Sequence, residues 1–127
     1  MMGFPVSVRV LLFRGHADMR KGLDGLRALV VESKEDPYSG DLYVFLARRH
    51  DHVKILWWDR GGFVVWHKRL ERGCFRPPRA EEDTLVLDAP SLVMLLDGID
   101  VQKVRRAKHW SPTNEIKGLL PNEWAIY

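Results

Sequence analysis

The sequence predicts an α+β fold in which two helices pack on a mostly antiparallel sheet of about five strands. Two observations support this prediction. Strand-like segments follow one another between residues 42 and 70 with no helical segment between them. One helical segment follows the first strand, and another follows the last. We expect both helices to cover the same face of the sheet, unlike those of a parallel doubly wound fold.

The N-terminal third contains the first strand and the first helix. Residues 6–13 alternate in the manner of a half-buried strand. Asp18 then stands where a helix N-cap is needed. An apolar stripe at helical spacing follows, made of Met19, Leu23, Leu26 and Val30. The pattern predicts an amphipathic helix of about 15 residues, with Gly22 and Gly25 on the face that comes closest to the strands.

Three consecutive strands are predicted in the middle of the chain, at 42–47, 53–58 and 63–70. The last two are joined by DRGG at 59–62, where glycine's tolerance of positive φ predicts a tight hairpin. On the returning strand, Trp66 and Lys68 share one face, and His67 and Arg69 share the other. The hairpin is therefore apolar near its turn and becomes basic towards residue 70.

The last predicted elements are a strand over 84–90 and a short apolar helix over 91–99 that stops near Gly98. The composition then becomes basic and later irregular. We therefore predict one α+β domain over 3–101 and a C-terminal tail over 102–127.

Composition favours a protein of the reducing cytoplasm. The 127 residues carry a net charge of +3 and include a single cysteine, Cys74, which excludes an internal disulfide. The N-terminal apolar run contains Arg9 and lacks a small-residue cleavage site, unlike a signal peptide. No run reaches the roughly 18 apolar residues of a membrane span. We expect a cytoplasmic protein without membrane contact.

Charge is strongly segregated along the chain. Residues 48–79 hold nine Lys and Arg against three Asp and Glu, whereas residues 80–100 hold six acids and no Lys or Arg. The segment KVRRAK at 103–108 is basic again. This pattern indicates a polyanion-binding face kept apart from an acidic region, the alternative being an ordinary solvated surface with internal ion pairs.

Basic and aromatic residues occur together in the hairpin, and Lys and Arg side chains neutralise nucleic-acid phosphates. Trp57 and Trp66 are predicted to fill the core in preference to stacking on bases, while the position of Trp58 stays open. The predicted nucleic-acid contacts are Arg20, Lys21, Lys54, Lys68, Arg69, Arg72 and Arg76.

No GxGxxG, P-loop, HExxH or paired CxxC motif is present, so we predict no catalytic residue, no metal and no cofactor. The nearest metal motif is HDH, where His50 and His52 on a strand would point the same way and chelate a divalent ion. Such a pair would resemble a single-strand nuclease of the His-hydrophobe-His class. Asp51 replaces the apolar middle residue of that class, which favours a polar turn.

MRKG at 19–22, KILWWD at 54–59 and KRLE at 68–71 stand in an order and spacing that resemble a known family. The chain is similar, over residues 3–105, to the TnpB (second open reading frame) accessory protein of the insertion-sequence family numbered sixty-six. The resemblance implies a protein encoded beside a separate DDE-type transposase and involved in transposition. It offers no catalytic residues to assign.

We therefore expect a non-enzymatic accessory protein in DNA transposition whose partners are the element's DNA ends, the element's transposase, or both. One alternative is an adaptor that docks its acidic segment and its second helix on the transposase without binding DNA. A metal-dependent single-strand nuclease is a further alternative. The sequence sets no oligomeric state.

Overall fold

Five strands form one sheet in the spatial order β4-β3-β2-β1-β5 in this computed structural model, which describes residues 8–98, except for the side chains of residues 15 and 16. The elements in chain order are β1 Val10–His16, α1 Leu23–Glu32, β2 Leu42–Leu46, β3 His52–Asp59, β4 Gly62–Arg69, β5 Thr84–Leu87 and α2 Ala89–Leu96. The predicted α+β class and strand number are confirmed.

The sheet is antiparallel except for one pair of strands. β1 and β2 run parallel, with Val10 opposite Leu42 and Phe13 opposite Phe45, and α1 forms the crossover between them. β3 is antiparallel to β2 and to β4, and β5 is antiparallel to β1. The carboxyl ends of β1, β2 and β4 therefore lie at the same end of the sheet as the amino ends of β3 and β5.

The two helices lie on opposite faces of the sheet, so the expectation that they share one face is wrong. Leu26 of α1 packs with Leu11 and Tyr43 on one side. Leu92 of α2 packs with Leu12 and other strand residues on the other side. The reason is that β1 and β2 are apolar on both faces, and each face must be removed from water.

Helix α1 begins at Leu23 with Gly22 as its N-cap, so the prediction that Asp18 caps it is wrong. The Asp18 carboxylate instead accepts a hydrogen bond of 2.9 Å from the backbone N–H of Arg20. This short-range bond stabilises a turn before the helix, a common use of aspartate that competes with capping.

The glycines of α1 do not mark its closest approach to the strands, contrary to the prediction. Gly22 is exposed, and a Cβ atom added at Gly25 would meet the side chain of Lys21 at 3.0 Å. Leu26 and Val30 are the α1 residues that are fully buried. Side-chain burial therefore holds the helix against the sheet.

The predicted hairpin is confirmed. Asp59 pairs with Gly62, and the two turn residues Arg60 and Gly61 have φ angles of 41° and 83°. Positive φ at both central positions is the geometry of a type I′ turn, whose twist matches that of the paired strands.

Helix α2 is capped by Asp88, whose side chain accepts a hydrogen bond of 2.8 Å from the N–H of Ser91. It ends at Leu96, before the predicted end at 99. The predicted tail over 102–127 and both boundaries of the predicted domain lie outside the described residues. Within 8–98, no helix has the length and apolar character to cross a membrane.

Candidate nucleic-acid interface

Two of the predicted DNA-contacting lysines bind backbone carbonyl groups of this chain. Lys54 donates from Nζ to the carbonyl oxygens of Met19 and Lys21, at 2.8 and 2.9 Å. Lys68 lies on the other face of the sheet and donates to the carbonyl oxygen of Leu96 at 2.7 Å. Each ammonium group ties a separate segment to the hairpin, so part of its hydrogen-bonding capacity is used within the chain.

Arg20 forms an ion pair with Asp18, at 2.8 Å between Nη2 and Oδ2. The hydrogen bonds that Arg20 donates to the Asp18 carboxylate lower its pKa to about 2. Both side chains are well exposed. The pair places a carboxylate beside the guanidinium, which reduces the attraction of this site for a phosphate.

The remaining four predicted residues form no ion pair within the part of the chain that the structure describes. Lys21, Arg69, Arg72 and Arg76 are exposed, and none forms an ion pair with another residue of the described part of the chain. Their charges are therefore available to a ligand in solution. The structure thus divides the seven predicted residues into two backbone-binding lysines, one paired arginine and four unpaired cations.

The sheet topology brings arginines from distant segments to one end of the sheet. Arg14 lies near the carboxyl end of β1, and Arg69 is the last residue of β4. Further arginines belong to the β2–β3 and β4–β5 connections, which meet at the same end of the sheet. We call this surface the basic end and define it as Arg14, Arg48, Arg49, Arg69, Arg72, Arg76 and Arg79.

Four members of the basic end were not among the predicted contacts. These are Arg14, Arg48, Arg49 and Arg79. Their grouping follows from strand order, because β1 and β2 are parallel and therefore end together. The charge excess over 48–79 was the available signal for three of them.

The β4–β5 connection is anchored to the β2–β3 turn. The backbone N–H of Leu70 donates to the carbonyl oxygen of Asp51 at 2.8 Å. The backbone N–H of Phe75 donates to the carbonyl oxygen of His50 at 2.6 Å. Phe75 is buried in the core on the α2 face, with 1% of its surface exposed. The arginines that flank Phe75 in this connection are consequently held against the end of the sheet.

The acidic segment borders the basic end, contrary to the expectation that the two are kept apart. Glu81, Glu82 and Asp83 are exposed and directly precede β5, whose first residue pairs with Phe13 of β1. The backbone N–H of Arg14 donates to the carbonyl oxygen of Asp83. A polyanion on the basic end would therefore meet a repulsive boundary on the β5 side.

The two histidines of HDH do not share a strand. His50 lies in the turn with φ of 58°, and His52 is the first residue of β3. The same-side geometry proposed for metal chelation therefore does not form. Nδ1 of His52 lies 2.9 Å from Nε2 of His67 on β4, a contact that hairpin register creates and that sequence inspection missed. No group of three or more metal-binding side chains occurs within 8–98.

The hairpin tryptophans differ in their surroundings. Trp57 is half-buried and packs against the core on the α2 face, as predicted. Trp66 is 37% exposed because β4 is an edge strand, so its assignment to the core is wrong. Trp58 packs edge-on against Tyr38 and Phe63, with ring centroids 5.1 and 5.0 Å apart. These contacts cover part of the Trp58 ring on which a nucleic-acid base would stack.

An apolar groove of about 430 Å³ lies on the α2 face. Its walls are formed by β2, β3 and β4 on one side and α2 on the other. The lining residues are Leu42, Ile55, Trp57, Val64, Trp66, Leu92 and Leu96. Among the described residues, no charged side chain lines the groove, so it is suited to apolar ligand groups and not to a phosphate backbone.

The sequence is similar over most of its length to one protein family and to two proteins of Sinorhizobium fredii. Residues 8–106 match the family described as IS66 Orf2-like protein. The uncharacterized protein y4jC of Sinorhizobium fredii is 33% identical over 114 residues, which cover 89% of this chain and 97% of that protein. A second Sinorhizobium fredii protein, y4hO, also named as uncharacterized, is 38% identical over 108 residues, 84% of this chain and 92% of its own length.

No solved structure matches the chain. The family match spans most of the sequence, from two residues before β1 to beyond α2, and so includes the whole described sheet and the basic end. The chain therefore belongs to the IS66 Orf2-like family, whose members are accessory proteins of insertion sequences.

Proposed function

We propose that the protein is a non-enzymatic factor that assists transposition by binding the DNA of its element through the basic end. The observation that carries this proposal is the set of arginines from four chain segments that meet at one end of the sheet without a carboxylate partner within 8–98. Guanidinium groups bind phosphates with paired N–H donors, and neutralised phosphates release counterions.

The proposal predicts a specific salt dependence. The variant Arg72→Gln/Arg76→Gln removes two unpaired charges from the basic end. If both contact phosphates, the slope of log K against log salt concentration should become shallower by about two. Fluorescence anisotropy of labelled element-end duplex and of a scrambled duplex, titrated at several salt concentrations, measures this slope.

A matched control is available at the opposite end of the sheet. Lys34 and Arg60 are also exposed and form no ion pair with the described residues. The variant Lys34→Gln/Arg60→Gln has the same net charge as the test variant and should keep the parent slope. Equal slopes for both variants would reject the basic end as the DNA-binding surface.

The second candidate function is that of a protein adaptor whose partner is the transposase of the same element. The apolar groove favours it, because Trp66 and Val64 on the edge strand extend an apolar surface that α2 leaves partly open. Apolar side chains of a protein partner fit such a surface.

This second candidate is tested by co-purification with the transposase. Trp66→Thr should reduce recovery of the transposase, whereas Val86→Thr should not, because Val86 is 61% exposed on the opposite edge strand and lies outside the groove. Equal recovery with both variants would reject the groove as the docking surface. Recovery of the transposase by a protein that binds no DNA would support the adaptor function over DNA binding.

A further inference from the structure

A cleft of about 330 Å³ opens within the basic end. Arg14 reaches it from β1, His50 from the β2–β3 turn, and Arg76 and Arg79 from the β4–β5 connection. Its volume falls at the lower limit of the range typical of small-ligand sites, about 300 to 1,000 Å³. Three arginines from two distant segments thus border one concave site.

The walls of the cleft are held in place by the fold. Phe75 is buried, and its backbone N–H donates to the carbonyl oxygen of His50, so the two connections that form the cleft are joined directly. Pro77 and Pro78 line the cleft and restrict the backbone between Arg76 and Arg79, and Pro78 is buried. The positions from which the arginine side chains extend are therefore fixed before a ligand arrives.

The electrostatics of the cleft select an anion. No carboxylate side chain from residues 8–98 lines it. Arg14, Arg76 and Arg79 form no ion pair with any residue in 8–98, and the Arg14 side chain makes a long contact of 3.5 Å with the carbonyl oxygen of Glu82. The Arg9, Arg20 and Arg27 guanidinium groups, in contrast, each bind a carboxylate at 2.8 Å.

We infer that this cleft is a binding site for a single phosphoryl group. Arginine presents a planar array of N–H donors that matches phosphate oxygens, and three such groups supply the charge that a phosphate requires. That the phosphoryl group belongs to a DNA strand rests on the function proposed above. Both an internal phosphodiester and a terminal 5′-phosphate carry the required chemistry.

The site itself is tested with inorganic phosphate alone. In a ¹H–¹⁵N NMR titration of the full chain, phosphate should cause saturable shifts of the Arg76 and Arg79 side-chain Nε–H signals and of the Phe75 amide. Sodium chloride at matched ionic strength should not cause them. Shifts of equal size with both salts, or shifts spread over the whole surface, would overturn the assignment.

Variants localise the binding. Arg79→Gln should weaken phosphate binding about tenfold, since it removes one charge-assisted pair of hydrogen bonds. Arg79→Lys retains the charge without the paired donors, so its phosphate affinity should lie between those of the parent and Arg79→Gln. Arg60→Gln, at the opposite end of the sheet, should bind phosphate like the parent. An unchanged affinity in Arg79→Gln, with its thermal unfolding also unchanged, would exclude the cleft.

The DNA source is tested with duplexes that carry or lack 5′-phosphates. Tighter binding of the phosphorylated duplex, lost in Arg79→Gln, identifies a terminal phosphate. Equal binding of both duplexes, weakened equally in Arg79→Gln, identifies a phosphodiester. Phosphate binding without DNA binding would reject the proposed function but keep the site, and DNA binding without phosphate binding would reject the site alone.

Discussion

Nζ of Lys68 lies 2.7 Å from the carbonyl oxygen of Leu96, the last residue of α2. The final carbonyl groups of a helix lack intrahelical partners, and the helix dipole places partial negative charge there. A lysine on the edge strand β4 thus supplies a donor and a positive charge to the end of a helix that packs across the sheet. This residue stabilises the fold in addition to carrying surface charge.

Replacement of Lys68 should therefore reduce stability. Lys68→Met keeps most of the aliphatic stem and removes the charged donor, so we expect the free energy of unfolding to fall by about 1–2 kcal/mol. Urea denaturation measures this change. Arg72→Met is the control, because Arg72 is exposed and unpaired among the described residues, and it should change stability by less than about 0.5 kcal/mol. Equal stability of the two variants would contradict the assignment.

Asp41 anchors the entry to the sheet through Arg9. Its carboxylate accepts from the Arg9 backbone N–H at 3.0 Å and from the guanidinium at 3.1 and 2.8 Å. Burial opposes ionisation of Asp41, but the hydrogen bonds from Arg9 and Ser39 outweigh it and lower its pKa. Asp41→Asn should therefore reduce the free energy of unfolding by about 2 kcal/mol.

The control for Asp41 is Asp24, which pairs with Arg27 on the surface and whose side chain is 85% exposed. Asp24→Asn should cost no more than about 0.5 kcal/mol, as is usual for exposed pairs on a helix. Because the folded-state pKa of Asp41 is lowered, its contribution is present above the unfolded pKa of about 3.9 and is lost as the pH falls through the folded pKa. The two variants should therefore converge in stability in strong acid.

Capping of α2 by Asp88 makes a third prediction. Asp88→Ala removes the acceptor for the N–H of Ser91 and should lower the free energy of unfolding by about 1 kcal/mol. Ser91→Ala is the matched control because the backbone N–H, not the hydroxyl group, makes the cap bond. Chemical denaturation of both variants decides the matter: a larger loss in Ser91→Ala would refute the capping role.

The His52–His67 pair gives the protein a pH-dependent contact. Burial, together with the neighbouring charges of Lys54 and His52, lowers the pKa of His67. A folded state that binds protons less readily than the unfolded chain loses stability as pH decreases. The loss begins near the unfolded histidine pKa of about 6.5 and is complete below the lower folded value.

Thermal unfolding between pH 5 and pH 8 checks this prediction. The parent Tm should fall on acidification, and His67→Gln should show a weaker dependence over the same range. His67 is paired with Lys54 across the hairpin, Arg69 lies two residues further along the same face of β4, and Glu71 lies two residues beyond the end of the strand. Parallel pH profiles for the parent and His67→Gln would show that other groups carry the dependence.

Most strands and helices could be predicted from the sequence because they depend on local patterns. The DRGG turn requires positive φ at adjacent positions, and glycine supplies it at Gly61. The start of α1 could not be predicted in the same way. Asp18 satisfies the pattern of an N-cap, yet its carboxylate binds the N–H of Arg20, and the helix starts later. A short polar side chain has several local partners, and packing of the following residues selects among them.

Only part of the candidate site could be predicted from the sequence. Arg72 and Arg76 were predicted from charge density, and they remain unpaired within the described residues. Arg14 was not predicted, because it lies far from them in the chain and reaches them only through the order of the strands. Lys54 and Lys68 had the same sequence signal as the arginines but bind backbone carbonyl groups.

By itself, the sequence determined the α+β class, the hairpin and the excess of basic residues over 48–79, since each depends on composition or on periodicity within a few residues. Only the tertiary structure decided which face each helix covers, which cations are already bound to the chain, and which arginines meet around the cleft. Those features depend on contacts between residues far apart in sequence. The meeting of Arg14 with the arginines of the later connections follows from the parallel pairing of β1 with β2, which the burial of both sheet faces by two helices stabilises.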